Sequence, residues 1–491
     1  MKYVAFSLLA LAIFSCTPLQ SQTIEDAVRY SLLEPGGTAR SAGIGGGIGA
    51  LGADFTVSST NPAGLATVRR SEFTFTPAFT TVNSESQLEG QNSAFDRTKV
   101  NFNFSNIGLI FPSQPLNLNW TNTAFAVGLN RLASFPQKFY YEGSSAGSIT
   151  DRWRDLAQGN TPDQLGFEEG LAYDAEAIYT DPDDDTYYYN DFDPNETVFR
   201  KQNINRKGAY NELVISYAGN YKERLMIGAT LGIPFVRYEE TKTYVEADEA
   251  GTNPVFNELT YVERLKTSGA GINLKLGMIL RLNQMFRIGA AIHTPTGLGL
   301  KDSYSSTLDY SYTLDGVTYS TPQNSPDGSF EYRLRTPWRL IGSAGLVFGK
   351  SGFLTAEVEY LDYKNAQFNF NKSSDGGDEA YEAELNQQID DKLSSALNIR
   401  LGGEYALDKF RFRGGYSIIQ SAYSEGFDPI GTISVGAGAW WSEDFFMDVA
   451  YRHQLSVGTT YSPYVYQSTP TQVVTQNITR NQFMLTLGFK F

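Results

Sequence analysis

Read for chemistry, the chain is sparing. It has two histidines, His293 and His453, and one cysteine, Cys16, so no intrachain disulfide can form and transition-metal ligands are scarce. The pattern His-Glu-x-x-His and the phosphate-cradling Walker loop do not occur, and no Ser/His or Asp/His set sits at a diagnostic spacing. An enzyme is not expected, nor a cofactor or a metal site. Gly47-Ile48-Gly49-Ala50-Leu51-Gly52 matches the dinucleotide fingerprint literally, but that motif needs a strand before it and a βαβ unit around it. A glycine run precedes it and a proline-containing turn follows, so it reads as close-packed backbone instead. Asp181-Pro182-Asp183-Asp184-Asp185 offers hard oxygens for calcium, yet lacks the glycine and bidentate glutamate of an EF-hand loop at their spacing. It reads as a solvated acidic loop, with Tyr187, Tyr188 and Tyr189 a weak signal for a sticky surface.

What remains is a set of charges at alternating positions: Lys275, Arg287, His293, Glu357, Glu359, Arg400, Glu404, Arg411 and Arg413 oppose the apolar face of their segments. Some could hold a carboxylate headgroup, for which the arginine fork is suited. Others could pair with one another in a lumen network. Both readings stay open.

The elements that carry these charges are strands. At the C-terminus Phe483, Leu485, Leu487, Phe489 and Phe491 share one face, against Met484, Thr486, Gly488 and Lys490. Ten such residues rise ~33 Å, and a tilt near 40° projects this to ~25 Å, the height of an outer-membrane apolar band. The pattern recurs over Leu225–Phe235, Ile272–Leu282 and Leu397–Tyr405, always with small or polar residues opposite. About fourteen strands follow, near 71–81, 100–111, 122–132, 208–219, 224–247, 255–282, 285–313, 329–349, 352–370, 390–406, 409–421, 431–442, 444–466 and 474–491, the second slipping phase near Ser105. Very short connections alternate with longer loops at 82–99, 133–207, 248–254, 314–328, 371–389, 422–430 and 467–473. Short turns on one side and long loops on the other are the asymmetry of a transmembrane antiparallel β-barrel of the outer membrane.

Composition agrees. Mean hydropathy is −0.30 and no apolar run after the first residues reaches the ~20 of a membrane helix. Aromatics make up 14% of the chain, and the net charge of −15 disfavours nucleic acid. Lys2 and the apolar Val4 to Phe14 read as a signal peptide over residues 1–21, with cleavage expected between Ser21 and Gln22. Lipoprotein processing at Cys16 is the rival, although Ile13-Phe14-Ser15-Cys16 is a poor lipobox. Residues 22–70 lack alternation and are expected to form an N-terminal plug, leaving 71–491 for the barrel. The segment 133–207, too long for a bare loop, is expected to hold local structure.

Three stretches in order carry a resemblance: Gly37-Thr38-Ala39-Arg40-Ser41-Ala42-Gly43, Gly49-Ala50-Leu51-Gly52-Ala53-Asp54 and Asn61-Pro62-Ala63-Gly64-Leu65. With Arg287-Ile288-Gly289-Ala290-Ala291-Ile292-His293-Thr294-Pro295 and Glu357-Val358-Glu359-Tyr360 they resemble the FadL/TodX family over nearly the whole mature chain. The resemblance implies a fourteen-stranded barrel closed by an N-terminal hatch. It implies passive transport of long-chain fatty acids or aromatic hydrocarbons, with a lateral opening at a kink in the third strand. On that basis Asn61, Pro62 and Ala63 are gating candidates in the hatch, and Gly128 and Asn130 are candidates for the kink. Arg287, His293, Arg400 and Arg411 are candidates for contact with the solute. The implied partners are a hydrophobic small molecule, outer-membrane lipid and lipopolysaccharide, and the barrel-assembly machinery during insertion, with the chain a monomer. Similar barrels also serve as substrate-carrying subunits of type IX secretion, and a purely adhesive surface barrel is a third reading. The acidic segment 133–207 departs from the family pattern.

Overall fold

The computed structural model describes residues 22–491 except 35, 117–118, 194–195, 371–376, 427 and 465–471. The signal-peptide and Cys16 readings lie outside these residues. The strands are β1 (Glu72–Leu88), β2 (Phe95–Ser113), β3 (Trp120–Ser134, resuming as Gln137–Ala146), β4 (Thr197–Tyr221), β5 (Leu225–Ala247) and β6 (Phe256–Arg281). Next come β7 (Phe286–His293 and Gly297–Leu314), β8 (Gly328–Arg335 and Arg339–Val347) and β9 (Gly352–Asp362 and Gln367–Phe370). The circuit ends with β10 (Ser395–Leu407), β11 (Phe410–Ile419), β12 (Ile430–Trp440), β13 (Phe445–Tyr461) and β14 (Val474–Lys490). Each pairs antiparallel with the next, and β14 pairs back onto β1 from Glu72↔Lys490 to Leu88↔Val474, so the sheet is a closed ring.

The faces are inverted relative to a soluble protein. Leu397, Leu401 and Tyr405 are 41%, 49% and 59% exposed, whereas Asn398 and Arg400 between them are 2% exposed. Phe483 and Phe489 on β14, and Leu274, Leu276 and Met278 on β6, repeat the pattern. A soluble sandwich with the same alternation would bury its apolar face. Here that face looks outward, which is stable only in hydrocarbon. No helix among the described residues is long and apolar enough to cross a membrane.

The expected strands are all present, but several boundaries move. Most of the expected loop 82–99 is strand: β1 and β2 continue to a short turn after Leu88. Segment 133–207 gives twelve residues to β3 and eleven to β4, leaving a cap between Ala146 and Thr197. That cap holds α3 (Ile149–Ala157), α4 (Phe167–Asp174) and a small hairpin, Tyr179–Asp181 with Asp184–Tyr189. The expected loop 371–389 contains α5 (Gly377–Lys392), so β10 begins at Ser395 rather than at 390. These outer stretches stand above the apolar band, where both faces meet water and alternation loses its cause. The phase slip near Ser105 is a bulge: Thr76 pairs Asn106 and Pro77 pairs Phe104, so Ser105 is the extra residue. It falls where Pro77 has no N–H to give.

Described residues of the segment 22–70 pack on inward-facing wall residues, as Gly49 does on Glu357 and Ser59 on Glu212. Helix α1 (Ile24–Ser31) lies in the outer half of the lumen, where Ile24, Ala27 and Tyr30 pack with Leu298, Leu334 and Ile389. Helix α2 (Ala39–Gly43) and two short 3-10 turns, Phe55–Ser59 and Pro62–Thr67, carry the chain down to the short-turn rim, where β1 begins.

Candidate functional site

Beside this inner segment the wall has an incomplete seam. Strands β2 and β3 pair only from Asn106↔Asn130 to Ser113↔Thr123. Beyond that point the outer part of β2 pairs with β1, and Gln137–Ala146 of β3 pairs with β4. The strands part where β3 breaks between Ser134 and Gln137, at Phe135-Pro136. A proline cannot donate to the ladder, and its predecessor is driven out of register with it.

Inner-segment backbone occupies the parting. Glu34 N–H donates to the Leu132 carbonyl at 2.9 Å, and Gly37 N–H to Ser105 Oγ at 3.4 Å. Between them, a Cβ on Gly36 would stand 1.5 Å from the Arg131 carbonyl oxygen, so only glycine fits. Glu34 also accepts from Arg452 Nη2 at 2.6 Å. Just below, a chain of side chains ties wall to hatch. Thr74 donates to Asn106 Oδ1 (2.8 Å), Asn106 Nδ2 to Asn130 Oδ1 (2.9 Å) and Asn130 Nδ2 to Ser59 Oγ (2.8 Å). Ser59 donates to Glu212 Oε2 at 3.0 Å, and Glu212 is ion-paired with Lys275.

The candidate residues divide. Gly128 is no kink: it pairs with Gly108 inside a regular ladder, and the Phe55 ring lies on both. A Cβ on Gly108 would be 2.3 Å from that ring, and one on Gly128 would be 2.6 Å from it. Asn130 stands at the last paired rung of the seam. Asn61 caps its turn by accepting from Ala63 N–H at 3.3 Å, while its amide donates to the carbonyls of Gly49 (2.7 Å) and Met278 (3.1 Å). Pro62 and Ala63 lie against Gly228 of β5. His293 Nε2 is 2.6 Å from the Thr60 carbonyl, and Arg287 Nη1 donates to the Leu51 carbonyl at 3.2 Å. Arg400 bridges Glu357 (2.9 Å) and Glu359 (2.5 Å), and Glu357 accepts from Gly49 N–H at 2.9 Å. Arg411 lies apart at the short-turn rim, donating to the carbonyls of Asp408 and Phe410.

Most of these groups therefore hold the inner segment to the wall. At their centre is a small polar cavity of about 40 Å³, bordered by Thr60, Glu212, Lys275, His293, Arg339 and Glu359. That is room for a water or two, not for an acyl chain. Phe55, Gly108, Asn106, Gly36 and Glu212 were not singled out in the sequence. Parity against Leu213 and Ile215 could have placed Glu212 inward. The others carry no local signal.

At the outer end, burial pushes the Asp26 carboxyl up to about 6, with Arg29 pulling against it and Asp302 adding to it. The folded value lies above the ~3.9 of an unfolded aspartate, so docking of α1 favours the protonated acid. That contribution is complete below about pH 4 and is lost as pH rises through about 6. Protection of the α1 amides, taken relative to the intrinsic exchange rate at each pH, is expected to be lower at about pH 7.5 than at about pH 5. Asp26→Asn, which can still cap the helix, should remove the difference. Equal protection of the wild-type helix at both values would contradict this.

No family model and no curated protein matches the sequence. Solved structures do. A Pseudomonas aeruginosa FadL homologue superposes with a TM-score of 0.57 at 13% identity, covering 94% of this chain and all of that one. The chain has the FadL-type fold. The P. putida toluene transporter TodX gives 0.55 at 12% identity over 93% of this chain and 99% of its own, and the Ralstonia pickettii toluene transporter TbuX gives 0.50 at 14% over 94% and 100%. At these identities the likeness is one of architecture: the FadL-type barrel with fourteen strands.

Proposed function

We propose that this protein is a passive outer-membrane channel for small hydrophobic molecules, long-chain fatty acids or aromatic hydrocarbons, which leave the lumen sideways between β2 and β3. The observation that carries the reading is the seam whose pairing ends at Asn106↔Asn130 and beside which Glu34, Gly36 and Gly37 lie in place of strand pairing. The toluene transporters TodX and TbuX, which share this fold, support it. A palmitoyl-length chain gains up to ~12 kcal/mol on leaving water, at ~0.8 kcal/mol per methylene. A lateral exit delivers such a chain to hydrocarbon without a return through water, so no energy source is needed. The lumen beside the hatch is polar and packed, so passage requires Glu34, Gly36 and Gly37 to withdraw from the seam.

Glu34 and Leu132 share a backbone hydrogen bond, which puts their Cα atoms within disulfide range. Cells carrying Glu34→Cys with Leu132→Cys are expected to lose uptake of labelled oleate or toluene when oxidised and to regain it on reduction. Each single variant should transport in both conditions. Uptake that is unchanged by the cross-link would overturn lateral release. Deletion cells that take up both solutes at the wild-type rate would overturn the transport reading itself.

A further inference from the structure

The cap over residues 147–196 presents a feature that transport does not use. In the hairpin Tyr179–Asp181 with Asp184–Tyr189, Tyr188 points inward and is fully buried, held by the Gln158 side chain at its N–H (3.1 Å) and carbonyl (2.7 Å). The alternate residues necessarily face away. Tyr179, Tyr187 and Tyr189 are 44%, 50% and 40% exposed, and their rings form one cluster. Tyr179 and Tyr189 lie 6.2 Å apart at 29°, and Tyr187 meets Tyr189 at 5.0 Å. The Tyr189 hydroxyl donates to Asp181 Oδ2 at 2.9 Å, which fixes the central ring. Asp183, Asp184 and Asp185 are exposed along the hairpin tip.

A second aromatic pair adjoins the cap. Tyr312 and Tyr319, on the outer end of β7 and its returning strand Val317–Ser320, stack at 5.3 Å and 22°. The Tyr312 hydroxyl donates to Glu176 at 2.6 Å, three residues before Tyr179, and Tyr310 donates to Asp191 at 2.6 Å, just past the hairpin. Tyr319 is 43% exposed. Two aromatic groups, one with Tyr187 edge-on to Tyr189 at 73° and one a stacked pair, are thus held on the long-loop end of the barrel, with carboxylates between and around them.

We infer that this aromatic and acidic strip is a docking site for neutral polysaccharide outside the cell. Rings that expose a face offer large, rigid contact area at little conformational cost. The C–H faces of a pyranose fit such rings, and its hydroxyls are donors for the surrounding carboxylates. The negative field of Asp181 to Asp185 repels phosphate- or carboxylate-bearing partners. Tyrosine in place of leucine or phenylalanine keeps the surface wettable between encounters, so a partner rich in hydroxyls suits it better than an apolar one. The inference rests on the outward orientation of the long loops and not on what the lumen carries.

The test is binding of the full-length protein in detergent micelles to soluble dextran and mannan, beside a carboxylated polysaccharide and an oligolysine peptide. Wild type is expected to bind at least one neutral glycan and not the carboxylated one. The variant Tyr179→Ala/Tyr187→Ala/Tyr189→Ala should weaken that binding about tenfold or more, the loss of two or three ring contacts, with thermal unfolding unchanged. Tyr187→Ala alone, which leaves the Tyr189–Asp181 bond in place, should weaken it to a smaller degree and serves if the triple variant is unstable. Failure of wild type to bind either neutral glycan, equal binding by the variants, or binding of oligolysine in place of glycan would each overturn the proposal.

Discussion

Arg400→Ala is expected to destabilise the folded protein by about 3–5 kcal/mol, the cost typical of breaking a buried ion pair from one side. Arg400 is 2% exposed, and its guanidinium lies between Glu357 and Glu359 at 2.9 and 2.5 Å. Asn398 and Arg339 also reach Glu359, and the hatch Gly49 N–H reaches Glu357. Removing the arginine leaves two carboxylates side by side, with Arg339 as the remaining cation on one of them. Glu357 then loses its charge partner while still holding the hatch. Lysine should not rescue, because a single ammonium cannot serve both carboxylates in the geometry of the fork. Arg400→Met combined with Glu357→Gln should recover part of the loss, since Glu359 keeps Arg339 and no carboxylate is left without a charge partner. Urea unfolding in detergent reads all three variants. A cost below about 1 kcal/mol for Arg400→Ala would show that this triad is solvated in a way its burial does not suggest.

Phe55→Ala is expected to cost the hatch about 3–5 kcal/mol as a lost core aromatic, read as the opening free energy of residues 55–60 by hydrogen exchange. The ring is fully buried on the paired glycines Gly108 and Gly128, and nothing else in the hatch can fill that seat. The reciprocal change acts from the wall. In Gly128→Val the new Cβ would stand 2.3 Å from the Ile107 carbonyl oxygen and 2.6 Å from the ring, so both the ladder and the hatch must give way. Both variants should make the barrel leakier to small sugars in liposome swelling. Adding Phe55→Leu to Gly128→Ala should relieve part of the defect. If Gly128→Ala alone leaves exchange of residues 55–60 and swelling unchanged, the ring seat is not what holds the hatch.

The barrel was readable because hydrocarbon imposes a strict rule on alternate residues. Leu397, Leu401 and Tyr405 must face outward, and parity then places Asn398 and Arg400 inward. Where water lies on both sides the rule lapses, and stretches such as Asn83-Ser84-Glu85-Ser86 on β1 or Lys201-Gln202-Asn203 on β4 read as loop although they are strand. Parity names an inward charge but not its partner. That Arg400 meets both Glu357 and Glu359 follows from the register of β9 with β10, in which Glu357 opposes Arg400. The role of Gly128 was misread for a related reason: a glycine in a strand marks close approach or a bend with equal force. Only the position of Phe55, seventeen residues before β1 begins to pair at Glu72, decides between them. Pro136 carried the local signal for the break, a few residues further along the same strand.

The ring closes through β1 and β14, the first and last strands of the chain. Synthesis therefore makes the inner segment first and the strand that shuts it in last. The inner segment and the strand that completes its enclosure therefore stand at opposite ends of synthesis, and the enclosure is complete only once β14 has joined β1. A chain shortened before Val474 would lack its closing strand, and its N-terminal residues, however well formed, would have no enclosure to keep them.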